Sequence, residues 1–430
     1  MSCLTNWLKG LVSYIILSFR GKYYLGDCKY RYLWYLSFFS KKHFLRIKTN
    51  IISSNKERLK QKGICKVGFI VYTTSMWSVD GLYQKMEKDE CYDASVIVTP
   101  FSDATRKVYN DTKKYFIDKN YKVETPEDES FDVNSYDLLL YTNPYISIDK
   151  YLNLFSLNLN TLVSYVSYSY MLADNAEKLN MPIYLLSWQF FCDSEYYKQF
   201  IEKNSRIYSN NAVFCGYPKM DSFYLIPNVI DAPLKKKTII YAPHHSVNRE
   251  DVKAATFEEN GWFFLYLAEK YKDKLFWIVK PHPLLRTHSV ESGIFSSEEQ
   301  YDSYLNRWVD TGSAIVIETG DYFESFKQSD AMVTDSVSFL AEYQFTGKPL
   351  LLLESGRQTY NSFGESIKQI LYRCKGNDFE AIISFLNDIL ADNDTMKEYR
   401  KAFFASNLIP KDGDVYANNN IYALMKKEVL

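Results

Sequence analysis

The sequence lacks a net charge: 51 basic residues meet 52 acidic ones across 430 positions, leaving −1. Without a broad basic field there is no footprint for non-specific nucleic-acid binding. It also lacks paired cysteines. Cys3, Cys28, Cys65, Cys91, Cys192, Cys215 and Cys374 are scattered, odd in number and contain no CxxC. That excludes a disulfide framework and a zinc ribbon, and fits a reducing cytoplasm. No apolar run reaches the length of a membrane span: residues 11–19 (LVSYIILSF) end at Arg20, well short of the roughly 20 residues needed. Neither a charged start nor a small-residue cleavage site marks a signal peptide. GxGxxG after the first strand, GxxxxGKS/T, GxSxG and HExxH are all missing, so nicotinamide, P-loop and hydrolase-elbow chemistries lose support.

What is present is an ordinary folded composition, 47% apolar and 24% charged. The length suits two or three domains, each with a substantial core. The N-terminal stretch mixes rings and cations, among them Trp7, Lys9, Tyr14, Arg20, Trp34, Lys41, Lys42 and Arg46. Such a helical segment suits the membrane interface, with rings at headgroup depth and cations toward anionic lipid. The alternative is a helical extension packed on the body. Residues 49–64 read as a polar linker or exposed helix.

Beyond it, strands alternate with helical patterns. Strands are expected at 66–72 (KVGFIVY), 95–99, 136–141 (YDLLLY), 162–166, 183–186 and 212–215. A break with two prolines and three consecutive lysines occupies 227–237 (PNVIDAPLKKK). A second alternation places strands at 238–241, 275–279 (LFWIV), 314–318, 331–334 (AMVT) and 349–353 (PLLLL), the fourth running straight into a helix at 336–345. Residues 377–430 read as helices. Alternation of this kind implies βαβ units and parallel sheets. The expected fold is α/β and GT-B-like: two Rossmann-like domains facing a cleft, at 61–230 and 231–400. A helical membrane-associating segment at 1–60 precedes them and a helical tail at 401–430 follows.

Three strand ends of the second half carry chemistry. Tyr241-Ala242-Pro243-His244-His245-Ser246, Lys280-Pro281-His282-Pro283 and Thr334-Asp335-Ser336-Val337-Ser338 each follow a strand. Parallel strands aim all three at one edge, where open α/β sheets bind ligands. A strand turning into a helix at Asp335–Ser338 offers backbone N–H groups and hydroxyls to a phosphate, although Asp335-Ser336 alone reads equally as an ordinary N-cap. His282, fixed between two prolines, is a rigid donor for charge developing on a leaving phosphate. His244 and His245 suggest metal, but adjacent histidines rarely chelate one ion and no Cys or i,i+4 partner accompanies them. No metal or other cofactor is expected.

These residues resemble the CDP-glycerol glycerophosphotransferase family of teichoic-acid and capsule assembly, over about residues 205–355. Cys215-Gly216-Tyr217-Pro218-Lys219-Met220-Asp221 is similar to the family's G-Y/N-P-R/K-x-D turn between domains. Trp277–Pro283 is similar to its K-P-H-P strand end, and Tyr241-Ala242-Pro243 to its Y-A-P. Val333–Glu342 with Gly347-Lys348-Pro349 resembles its T-D-x-S-S-x-x-x-D/E…K-P segment.

The resemblance implies that His282 contacts the donor phosphates, with Lys280, Thr334, Asp335, Ser336 and Ser338 around the pyrophosphate. It places Glu342 near the donor polyol or ribose, and Gly216, Pro218 and Asp221 in an interdomain turn. It further implies a peripheral place on the cytoplasmic membrane face, a CDP-linked polyol as donor, and a lipid-linked or polysaccharide acceptor. Two departures matter. The family's N-terminal His-Gly pair, the expected base, is missing, with Tyr141-Thr142-Asn143-Pro144-Tyr145 where it is expected; His244 and His245 are the substitutes. The first Ser of the T-D-x-S-S segment is Val337. UDP-GlcNAc 2-epimerases are similar over a shorter stretch, carrying Gly-Gly where this chain has Val337-Ser338. The expected reaction is therefore polyol-phosphate transfer. The rivals are a GT-B glycosyltransferase using a nucleotide sugar, and a non-catalytic assembly protein that has lost the base.

Overall fold

A computed structural model describes residues 2–19, 29–101, 104–174, 176–208, 210–227, 236–247, 253–318 and 322–430. Arg20, Cys28 and most of the 227–237 break lie outside the described residues. The chain divides into two compact units. The first comprises 1–169, 175–221 and 408–430, and the second 170–174 and 222–407.

The first unit is built on seven strands: β1 (Cys65–Val71), β2 (Tyr92–Val98), β3 (Val123–Glu124), β4 (Leu138–Tyr141), β5 (Leu162–Val166), β6 (Gln189–Cys192) and β7 (Ala212–Phe214). They pair in parallel in the order β3-β2-β1-β4-β5-β6-β7. The second unit holds β8 (Lys237–Ala242), β9 (Leu275–Val279), β10 (Ala314–Val316), β11 (Ala331–Thr334), β12 (Leu350–Glu354) and β13 (Tyr372–Lys375). These are again all parallel, in the order β10-β9-β8-β11-β12-β13. Each order runs outward from its first strand in one direction and then the other, the doubly wound Rossmann arrangement. Both faces of such a sheet are covered by helices, so its strands read as unbroken apolar runs. Every residue of β4 (LLLY) and of β5 is buried accordingly.

One sequence expectation fails locally and another is settled between its alternatives. Residues 183–186 are not a strand but part of a short helix, Pro182–Leu186, with proline in its first turn. A four-residue apolar run carries no period that separates strand from buried helix, and proline suits the first helical turn. Of the two readings of residues 49–64, linker or exposed helix, the helix holds through Lys62: the span continues a helix, Lys41–Lys62, that buries Phe44, Ile47, Ile51, Asn55 and Leu59 on its inner face. Asp137, at the start of β4, receives Arg58 at 2.7 Å and Lys62 at 2.5 Å from that helix, and the backbone N–H of Lys66 at 2.9 Å. The preceding helix, Tyr30–Phe39, is pinned to the same unit: Tyr30 donates to Thr161 O at 2.7 Å, and Trp34 to Asn180 O at 2.9 Å. Much of the aromatic and basic N-terminal stretch is therefore spent on packing.

The Gly216–Asp221 motif receives the last helix, Ala417–Val429, whose Ile421, Met425 and Val429 are fully buried in the first unit's core. Asp221 accepts from the backbone N–H groups of Ala417 (2.7 Å) and Asn418 (2.8 Å) and from Asn418 Nδ2 (2.8 Å). A distant carboxylate thus caps the helix, satisfying donors that no intrahelical carbonyl reaches. Gly216 sits at φ +90°, and a Cβ there would stand 3.1 Å from Ala417 Cβ, so a side chain would be both strained and crowded. Asp221→Ala is expected to cost about 2 kcal/mol and to raise hydrogen exchange across the last helix, measured peptide by peptide.

Candidate functional site

The second sheet gathers the three strand ends. β8 lies between β9 and β11, with Tyr241 in register with Val279 and Ala242 with Thr334. The residues that follow all leave the same edge, and the β8/β11 pair is the switch point where the strand order reverses, the usual place for a ligand. Backbone bonds tie the ends together: Lys280 N–H donates to Tyr241 O at 2.8 Å, and His282 N–H to Pro243 O at 3.1 Å.

Thr334 and Asp335 hold this edge in shape. Thr334 Oγ1 donates to Ala242 O at 2.7 Å and accepts from Ser336 N–H at 2.9 Å. Asp335 is buried, 2% exposed. One of its oxygens accepts from His244 N–H at 2.6 Å; the other accepts from Thr256 N–H at 2.6 Å and Thr256 Oγ1 at 2.9 Å. Burial pushes the Asp335 carboxyl up to about 6, opposed by the Thr256 and His244 backbone N–H groups.

The expected helix at 336–345 is different in the structure. Asp335–Ser338 is non-helical, a four-residue helix begins only at Phe339 (Phe339–Glu342), and a 3-10 turn, Tyr343–Thr346, follows. So short a helix has little macrodipole to offer an anion, and the Ser336 N–H is already engaged. Asp335 is neither an N-cap of that helix nor an open ligand group; it cross-links the β8 exit to the start of the helix Phe257–Lys270. Ser336, Val337 and Ser338 are each half-buried. Glu342 is buried and accepts from the Tyr322 hydroxyl. Lys280 is largely buried and donates from Nζ to Ile317 O at 3.3 Å.

The histidines form a cluster that spacing alone does not reveal. His245 and His282 have ring centroids 4.1 Å apart, His244 and His245 4.3 Å, and His244 and His282 5.4 Å. His288, from the helix Leu285–Glu291, joins them with its ring 5.0 Å from His245. Among the described residues no group of three or more His, Cys, Asp or Glu has the arrangement of a metal site. His282 is pushed down to about 3 by burial first, then by the neighbouring His245, His288 and Lys280. It is a neutral ring at physiological pH, and its Nδ1 accepts from Leu284 N–H at 3.1 Å. Sequence reading missed His288 and Thr256, and named Ser246 only as part of its strand end. His288 lies 43 positions from His245, so only the fold joins them. In the first unit, Asn143 stands where the base was sought. It is buried, accepting from Tyr145 N–H at 2.8 Å and approaching Met76 Sδ at 2.9 Å, and it offers no basic nitrogen.

The family profile described as CDP-glycerol:poly(glycerophosphate) glycerophosphotransferase matches residues 172–424. Among solved structures, the wall teichoic acid polymerase TagF aligns at 15% identity and TM-score 0.54, over 90% of this chain and 95% of its own. A putative UDP-N-acetylglucosamine 2-epimerase from Listeria monocytogenes aligns at 16% identity and TM-score 0.56, over 85% of this chain and 96% of its own. S. aureus MnaA, solved with UDP, aligns at 15% and 0.54, over 85% and 96%. At these identities the likeness shows the fold, two parallel α/β sheets of GT-B-like type. No curated protein matches the chain. With more than half of its length matched by the profile, the chain belongs to the CDP-glycerol:poly(glycerophosphate) glycerophosphotransferase family and is a transferase of that type.

Proposed function

We propose that this chain moves glycerol- or ribitol-phosphate from a CDP-activated donor to a hydroxyl of a lipid-linked or growing cell-surface glycan. The unit carrying β8–β13 takes the donor, and the unit carrying β1–β7 takes the acceptor. The observation that carries the reading is the edge of β9, β8 and β11, where His244, His245 and His282 cluster at a switch point and Lys280, Ser336 and Ser338 follow the same strand ends. The acceptor hydroxyl oxygen attacks the β-phosphorus, the bond from that phosphorus to the bridging oxygen breaks, CMP leaves with the electron pair, and the hydroxyl proton is released to water. Such a step needs positioning and neutralisation of spread charge more than covalent help. Lys280 supplies a positive charge. His282, neutral and with Nδ1 accepting, supplies an Nε2–H donor.

Incubation with CDP-glycerol or CDP-ribitol and a glycan acceptor is expected to release CMP. Absence of CMP with both donors, together with thermal stabilisation by a nucleotide sugar alone, would replace this reading by glycosyl transfer.

The proposal includes a peripheral place on the cytoplasmic membrane face. Among the described residues no helix is long and apolar enough to cross a membrane. The helix Ser2–Phe19, however, leaves Leu4, Trp7, Leu8, Val12, Ile15 and Ile16 exposed. Gly10 and Ser13 face inward, and a Cβ on Gly10 would collide with Tyr35 O. An apolar face of this kind suits the acyl boundary. Lys29, Arg31 and Lys150 line one open pocket with Tyr32 and Phe155, which suits anionic headgroups. Flotation with phosphatidylglycerol vesicles is expected for the intact chain and is expected to fail for Ile15→Asp/Ile16→Asp; flotation of both would retire the interfacial role.

A further inference from the structure

The hydrogen bonds of the histidine cluster fix where its protons sit. Ser246 Oγ accepts two backbone N–H groups, from Ala254 at 3.1 Å and Ala255 at 3.0 Å. Both lone pairs are then used, so its own hydrogen goes to His244 Nδ1 at 2.9 Å; Ser246 N–H approaches the same nitrogen at 3.3 Å. His288 Nδ1 lies 2.9 Å from His245 O. A carbonyl only accepts, so His288 Nδ1 carries a hydrogen. The same nitrogen lies 3.0 Å from His245 Nδ1, which must therefore be the acceptor. His282 Nδ1 accepts from Leu284 N–H. In three rings the Nδ1 lone pair is engaged, and a neutral imidazole then carries its one hydrogen on Nε2.

We infer that His244 and His245 join His282 as neutral Nε2–H donors to the phosphate oxygens of the donor, and that Ser246 and His288 are the positioning residues that hold His244 and His245 in that state. The inference rests on the proposed reaction only for its kinetic arm. On this inference neither His244 nor His245 is the substitute for the missing base. An Nε2–H has no lone pair for an acceptor proton, and the Nδ1 lone pairs are engaged. The cluster is thus a place for oxyanions, where preorganised donors gain most because they need no reorganisation as charge develops. His288 differs from the other three in carrying its hydrogen on Nδ1.

The test is long-range 1H–15N NMR of the full chain labelled with 15N-histidine, at neutral pH. Nε2–H signatures are expected for His244, His245 and His282, and an Nδ1–H signature for His288. An Nδ1–H signature at His245 would overturn the inference whether or not any donor is turned over. Inorganic pyrophosphate is expected to shift the Nε2 resonances of His245 and His282; no movement would overturn the assignment to phosphate.

His288→Leu is expected to leave His245 in mixed tautomers and to slow CMP release by on the order of tenfold to a hundredfold, through kcat more than KM. His288→Asn, whose amide N–H stands in for Nδ1–H, is expected to restore the tautomer and recover most of the lost rate. Equal loss in both variants with an unchanged His245 tautomer would reduce His288 to a packing residue. Failure of CMP release in every variant, with the tautomers as stated, would count against the proposed reaction and not against the donor assignment.

Discussion

Replacing His282 with alanine is expected to lower kcat for CMP release by about 10²–10³, the usual effect of deleting one preorganised donor, with a much smaller change in KM. The ring does little to hold the fold together: it is half-buried and, among the described residues, accepts a hydrogen bond from Leu284 N–H at 3.1 Å. The thermal midpoint should therefore move little. The charge state gives a second readout. The folded His282 lies near 3, below its ordinary value of 6.5, so the folded chain holds this ring neutral where the unfolded chain protonates it. Its contribution to stability is present above about 6.5 and is lost as pH falls toward 3. His282→Gln, which cannot titrate, should flatten that part of the stability profile in urea unfolding series run from pH 7 to pH 4. Retained polymer synthesis in cells by His282→Ala would instead favour a non-catalytic assembly protein.

How much of this was legible in the sequence depends on the range of the interaction concerned. The apolar runs LFWIV and AMVT became β9 and β11 with the expected bounds, because a strand buried on both faces announces itself in consecutive residues. β6, with Gln at its start, and the two-residue β3 gave no such signal. The strand ends carrying His244, Lys280, His282 and Asp335 were readable because each is a short local pattern. The role of Asp335 was not. A Thr-Asp-Ser step looks like a helix cap, and only the fold shows that the carboxylate reaches Thr256, 79 positions away. The same holds for Asp221, whose partners Ala417 and Asn418 lie almost two hundred positions on.

Removing Asp335 tests whether that edge is held or merely adjacent. Asp335→Ala leaves the buried N–H groups of His244 and Thr256 without their acceptor. An orphaned buried donor costs about 1–3 kcal/mol, so the second unit should lose about 2–5 kcal/mol, and exchange at the His244 and Thr256 amides should rise. Asp335→Asn separates geometry from charge. Its single carbonyl oxygen keeps one of the two acceptor positions, while its NH2 faces the other donor, so a smaller loss is expected. The pH dependence has the opposite sign to that of His282. Burial sets the folded carboxyl near 6, above the 3.8 of the unfolded chain. The folded state therefore binds the extra proton, and stability fully present below about 3.8 is lost as pH rises through 6. Asp335→Asn should remove that slope, so its deficit relative to the parent chain should be largest near pH 4 and shrink toward pH 7. A deficit independent of pH would mean that the carboxylate is ionised throughout and that its three donors outweigh its burial.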